Sequence, residues 1–184
     1  MKILVAITGG SGYPLAIRLL EELGKKGIER HLVMSRNAEK VREYECEGTT
    51  PEYEKKYEPE SIHEKICSGS YPIDAMIVIP CSMNTLAKIA SGIEDNAITR
   101  AAGVNLKQER RVILVPRETP MNLAHLRNLV KAKEQGCSIV PPMLTHYTKP
   151  KTIEDMENQI IGRILQLLNI KNTLYTEWSG KNEP

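Results

Sequence analysis

Aliphatic and polar positions fall along this chain in alternating blocks. From residue 2 to residue 7 it is almost wholly aliphatic, and it stops at the cluster Thr8-Gly9-Gly10-Ser11-Gly12. Leu15, Ile17, Leu19, Leu20 and Leu23 then recur at helical spacing, with Pro14 where a first-turn proline is tolerated. The pattern predicts a strand, a glycine-rich turn and a helix over 13–26. A second strand is expected over Glu29–Met34, followed by a polar helix from Asn37 to Glu47. Residues 48–72 are charged and hold Pro51, Pro59 and Pro72, which reads as an excursion with a helix around Ser61–Cys67. Ala75–Ile79 has no alternation, the mark of a strand buried on both faces. Helices are expected over Asn84–Ser91, Asp95–Lys107, Asn122–Gln135 and Ile153–Leu168. Val112–Val115 and Ser138–Val140 read as further strands.

This order predicts an α/β fold: a single doubly wound (Rossmann-like) parallel sheet with helices on both faces, one domain over 1–184. In such sheets ligands bind where strand C-termini meet helix N-termini, because unpaired backbone N–H groups converge there. Four of these junctions carry chemistry-bearing residues: Thr8–Gly12, Ser35, Pro80–Thr85 and Pro116–Pro120.

Composition narrows the function. Lys and Arg number 25 against 23 Asp and Glu, a net charge of +2, too balanced for recognition of nucleic acid or membrane by bulk charge. No apolar run is long enough to span a bilayer, and the start of the chain reads as the first strand rather than a signal peptide. The cysteines at 46, 67, 81 and 137 form no CxxC pair, which suggests reduced thiols and a cytoplasmic protein. Phe is absent, so the core must be aliphatic.

The glycine turn is not GxGxxG and no Walker lysine follows, which disfavours a nicotinamide cofactor or a nucleoside triphosphate. Ser35 alone reads as a helix N-cap. Ser82, Met83, Asn84 and Thr85 are richer in hydroxyl and amide groups than capping needs. Arg100 and Lys107 share a face if their helix is continuous, and two cations on one face could hold a phosphate dianion. The Arg117-Glu118 pair follows a buried strand directly. On pattern alone Glu45 reads as a solvated helix face and Arg163 as a surface residue. The four histidines lack metal-ligand spacing, so no metal is expected, and no GxSxG elbow occurs.

Four segments together, Thr8–Gly12, Ile79-Pro-Cys-Ser-Met-Asn-Thr-Leu86, Thr99-Arg-Ala-Ala102 with Leu106-Lys107, and Pro116-Arg-Glu-Thr-Pro120, resemble the flavin prenyltransferases of the UbiX/Pad type. These are a branch of a flavoprotein superfamily that also holds cysteine-peptide decarboxylases. The resemblance runs from the first strand through Trp178. It implies that Gly9, Gly10, Ser11, Ser35, Ser82–Thr85 and Arg117 bind flavin mononucleotide (FMN), and that Glu118 and Glu45 are catalytic. It makes Arg100 and Lys107 a basic pair near the prenyl phosphate, with Lys107 also catalytic. Tyr147 and Arg163 match phosphate ligands that come from an adjacent subunit in the family, and Trp178 matches a tryptophan near the active site. The family usually has alanine at Gly10 and aspartate at Gly103.

The implied reaction joins a dimethylallyl group from dimethylallyl monophosphate to N5 and C6 of reduced FMN, without metal, and hands prenylated FMN to a UbiD-type decarboxylase. The resemblance also implies a homo-oligomer, a dodecamer, with the tail from about residue 171 packing on a neighbour. A different reading is an FMN-binding accessory subunit of an aromatic-acid decarboxylase with no chemistry of its own. A third is a cysteine-peptide decarboxylase, for which no catalytic histidine can be placed.

Overall fold

Strand β1 (Lys2–Ile7) leads through the glycine turn into helix α1 (Tyr13–Lys25), and β2 (Glu29–Met34) into α2 (Arg36–Cys46). A short strand β3 (Lys55–Tyr57) and a single 3-10 turn (Lys65–Cys67) precede β4 (Ala75–Cys81). Helices α3 (Met83–Ala90) and α4 (Ala97–Lys107), β5 (Arg111–Pro116), α5 (Leu123–Glu134), β6 (Ser138–Ile139) and α6 (Ile153–Leu167) complete the order. This computed structural model describes residues 1–175, 177, 178 and 180. The chain divides into two compact units, Met1–Pro142 with the whole sheet and Met143–Pro184 with α6.

The six strands are all parallel, in the order β3-β2-β1-β4-β5-β6. The order reverses between β1 and β4, so the loops after these two strands diverge and open a crevice between them. On one face Leu4, Ala6, Val33, Met76, Val78 and Leu114 pack with Leu86, Ile89, Ala97, Ile98, Ala101 and Ala102 of α3 and α4. Buried Ala16, Leu19, Leu20 and Leu23 belong to α1, which packs on β1, β2 and β4. Ala97, Ala101 and Ala102 put small side chains on the face of α4 that meets the sheet.

Two elements depart from the sequence expectation. The helix expected around Ser61–Cys67 is only the 3-10 turn, and β3 lies where no strand was expected. Lys55 and Lys56 are exposed and only Tyr57 is buried, so this strand carries no apolar signal. Short, lysine-bearing strands suit sheet edges, where they discourage pairing with another chain.

Candidate active site

Thr8 ties the two strands at the reversal point together. Its backbone N–H and its hydroxyl both donate to the Pro80 carbonyl, at 3.2 and 2.8 Å, and its hydroxyl oxygen accepts from Ser82 N–H at 2.7 Å. The site therefore stands on a buried polar staple rather than on loose loop ends.

Three helices start around this staple. Gly12 precedes α1 with φ of +111°, which only glycine adopts without strain. Ser35 caps α2, accepting from Ala38 N–H at 3.2 Å, and its own N–H donates to Ile7 at the end of β1. Ser82 caps α3, accepting from Thr85 N–H at 3.3 Å, and its hydroxyl lies 3.0 Å from that of Thr85. Gly9 is fixed by contact: a Cβ there would lie 2.6 Å from Asn37 Cβ in the first turn of α2. A Cβ at Gly10 would rest 3.5 Å from Pro80 Cβ, ordinary contact, so the alanine usual in the resembling family fits. The helix dipoles and backbone N–H groups of α1, α2 and α3 thus favour negative charge in one place.

Glu45 enters this place from the last turn of α2. Its carboxylate accepts from Gly12 N–H at 2.9 Å, Tyr13 N–H at 2.8 Å and the Ser11 side chain. Burial pushes its pKa up, but those hydrogen bonds and the Arg117 charge outweigh it and hold the carboxyl below its usual range. The structure so overrules the pattern reading of Glu45 as a solvated helix face. It also fills the start of α1, leaving α2 and α3 as the helix termini open to a further anion.

Arg117 follows β5, with its N–H on the Cys81 carbonyl at 3.4 Å, and the exposed guanidinium acts on Glu45. Glu118 is half-buried and accepts from Thr119 N–H at 3.1 Å. Met83 is buried and Asn84 exposed in the first turn of α3.

The basic pair behaves differently. Helix α4 is continuous, and Arg100, Gly103 and Lys107 lie on its less buried side. Lys107 ends the helix, four residues before β5 begins, and its side chain lies beside Gly69, whose carbonyl accepts from Arg110. That is the sheet edge where strands start. The glycine turn follows the far end of β1, roughly 20 Å away for a six-residue strand. The expected shared face is there, but one chain does not bring Lys107 to the glycine turn, because α4 runs back along the sheet. Arg100 donates to the Glu94 carboxylate.

In the second unit, the Tyr147 hydroxyl accepts from Gln159 Nε2 at 2.9 Å, and its ring meets that of Trp178 edge-on at 5.7 Å. Both rings are largely exposed, as is Arg163 on α6, which bonds Gln166. The second unit brings Tyr147 and Trp178 into ring contact but shows no contact of either with Arg163; residues 176, 179 and 181–184 of the expected packing tail lie outside the described residues.

All four cysteines are free thiols. Among the described residues no His, Cys, Asp and Glu cluster could hold a metal, and no helix is long and apolar enough to cross a membrane. The sequence marks Thr8 as the first residue of the glycine cluster but not as the tie between β1 and β4, and it gives Glu94 no role. Glu94 was signalled only by Gly103, a glycine inside a helical pattern.

A parallel sheet of this order, with helix termini and hydroxyls gathered at its reversal point, defines a doubly wound α/β protein built to hold a mononucleotide. The Flavoprotein family matches residues 1–166. The chain is 42% identical to "Flavin prenyltransferase UbiX" of Thermoplasma acidophilum, over 97% of this chain and 100% of that protein. It superposes with a TM-score of 0.93 on AnUbiX (PadA1) solved with FMN and dimethylallyl pyrophosphate, at 38% identity and 98% coverage of both chains. A dodecameric FMN-dependent Ubix-like decarboxylase from Escherichia coli O157:H7 gives 0.92 at 37% identity, over 98% of this chain and 100% of that one. The chain belongs to the Flavoprotein family, in its UbiX-type flavin prenyltransferase branch.

Proposed function

We propose that this protein joins a dimethylallyl group from dimethylallyl monophosphate to reduced FMN, releasing inorganic phosphate and prenylated FMN for a UbiD-type decarboxylase. The observation that carries this reading is the gathering of the α2 and α3 N-termini, the Glu45 carboxylate and Arg117 around one glycine turn, in a chain homologous to flavin prenyltransferases over its length. The donor set suits an anionic mononucleotide. Ser35, Ser82, Thr85 and Arg117 offer donors, Gly9 and Gly10 offer backbone N–H groups in a turn that is bare at Gly9, and Glu45 meets α1 on its own.

Reduced FMN supplies the nucleophilic N5 and the C6 position that closes the new ring. The chain's part is positioning and proton transfer. Ser82–Thr85 and Arg117 orient the ring system, so reacting atoms meet at high effective concentration. Glu118 moves a proton between ring and leaving phosphate, with Glu45, held ionised, as its assistant. Arg100, Lys107, Arg163 and the Tyr147 hydroxyl receive the departing phosphate through charge-assisted hydrogen bonds, and fixed cations take the place of a metal. Since one chain separates Lys107 from the glycine turn, the complete site is assembled between copies of this chain in a homo-oligomer, a dodecamer by its relative's example. Residues 1–184 act as one flavoprotein domain in that assembly, with Trp178 at the site. Free thiols suit a cytoplasmic setting.

The test is anaerobic phosphate release from dimethylallyl monophosphate. Release that requires reduced FMN is expected; tight FMN binding with no phosphate release from mono- or diphosphate donor points to the accessory-subunit reading instead.

A further inference from the structure

Helix α4 contains a glycine that its backbone does not need. Gly103 lies mid-helix, where glycine costs about 0.5–1 kcal/mol against alanine. What it provides is space: a Cβ built at 103 falls on a carboxylate oxygen of Glu94, whose other oxygen accepts from Arg100 Nη1. The segment carrying Glu94 is pinned immediately after it. Lys88 Nζ donates to Asp95 at 2.6 Å, and Asn96 caps α4 by accepting from the N–H groups of Ile98 and Thr99, both at 3.0 Å. Glu94 and Gly103 line a cavity of about 370 Å³ together with Lys107, Ile93 and Leu106.

We propose that Glu94 is the positioning residue for Arg100, and that Gly103 is present to admit its carboxylate. An arginine side chain carries about 2 kcal/mol of rotamer entropy, and its fork presents five N–H donors. Glu94 takes one side of that fork and fixes its plane, leaving the remaining donors free to meet phosphate oxygens beside Lys107. This rests on the reading that Arg100 and Lys107 hold the donor phosphate.

The swap Glu94→Ala with Gly103→Asp tests it by returning a carboxylate from the other side. Glu94→Ala and Gly103→Ala are each expected to raise KM for dimethylallyl monophosphate about fivefold, the upper reach of a part-exposed ion pair, with FMN affinity unchanged. Gly103→Ala should do so while raising the melting temperature, since the helix gains. The double swap should recover most of the lost affinity. Phenylglyoxal labelling of Arg100, followed by peptide mass mapping, reads the pair without turnover: faster in Glu94→Ala, slow again in the swap. Equal labelling rates, or an unchanged KM despite faster labelling, overturn the proposal. Faster labelling in a protein that transfers no prenyl group upholds the pair and sinks only the phosphate reading.

Discussion

Glu45→Gln removes one negative charge from the start of α1 while keeping an amide of the same size. In the native protein the carboxylate takes Gly12 N–H at 2.9 Å, Tyr13 N–H at 2.8 Å and the Ser11 side chain. Hydrogen bonds to a charged group are worth about 1.5–3 kcal/mol each, and an acid at a helix N-terminus about 0.3–1 kcal/mol. Glutamine retains one acceptor and the site is only partly buried, so solvent screening reduces the loss to about 1–2 kcal/mol. For a chain of this size that lowers the melting temperature by about 2–8 °C. The sign with pH follows from the depressed native pKa. The stabilisation is complete above the unfolded carboxyl value of about 4.3 and disappears as pH falls through the lower native value. Thermal melts of both proteins from neutral pH downward should show a gap that closes only in acid. Equal melting at pH 7, or a gap that survives protonation, would refute the placement of Glu45 on the glycine turn.

Gly10→Ala should fold and bind FMN normally, with stability unchanged or raised by up to about 1 kcal/mol. Gly9→Ala should cost about 1–3 kcal/mol in denaturant unfolding because of Asn37. Thr8→Val keeps the volume but removes the staple between Pro80 and Ser82, and should destabilise by about 2 kcal/mol in the same measurement. Lys107→Ala should leave FMN titration unchanged and suppress turnover; normal rates at saturating donor would remove Lys107 from its role.

Continuous aliphatic runs made β1, β4 and β5 legible, because strands buried on both faces must be apolar throughout. The six α-helices were legible from apolar spacing or polar blocks between strands, whereas the helix expected around Ser61–Cys67 is a single 3-10 turn. Strand β3 was not, since an exposed lysine-bearing edge has no apolar pattern to read. The junctions at Thr8–Gly12, Ser35 and Ser82–Thr85 stood out because small and hydroxylic residues follow aliphatic runs. Glu45 did not stand out from Glu43 and Glu47. It meets Gly12 across 33 positions of chain, a distance no local pattern encodes, and only the family resemblance singled it out. The separation of Lys107 from the glycine turn was hidden for a related reason: helical spacing fixes a face but not which end of the sheet that face reaches.

Prenyl transfer means that this protein forms a carbon–carbon and a carbon–nitrogen bond to a flavin. Mass spectrometry of the flavin released after anaerobic incubation with reduced FMN and dimethylallyl monophosphate tests it most directly. A flavin heavier by one prenyl unit is expected; unaltered FMN with both mono- and diphosphate donors would rule prenyl transfer out.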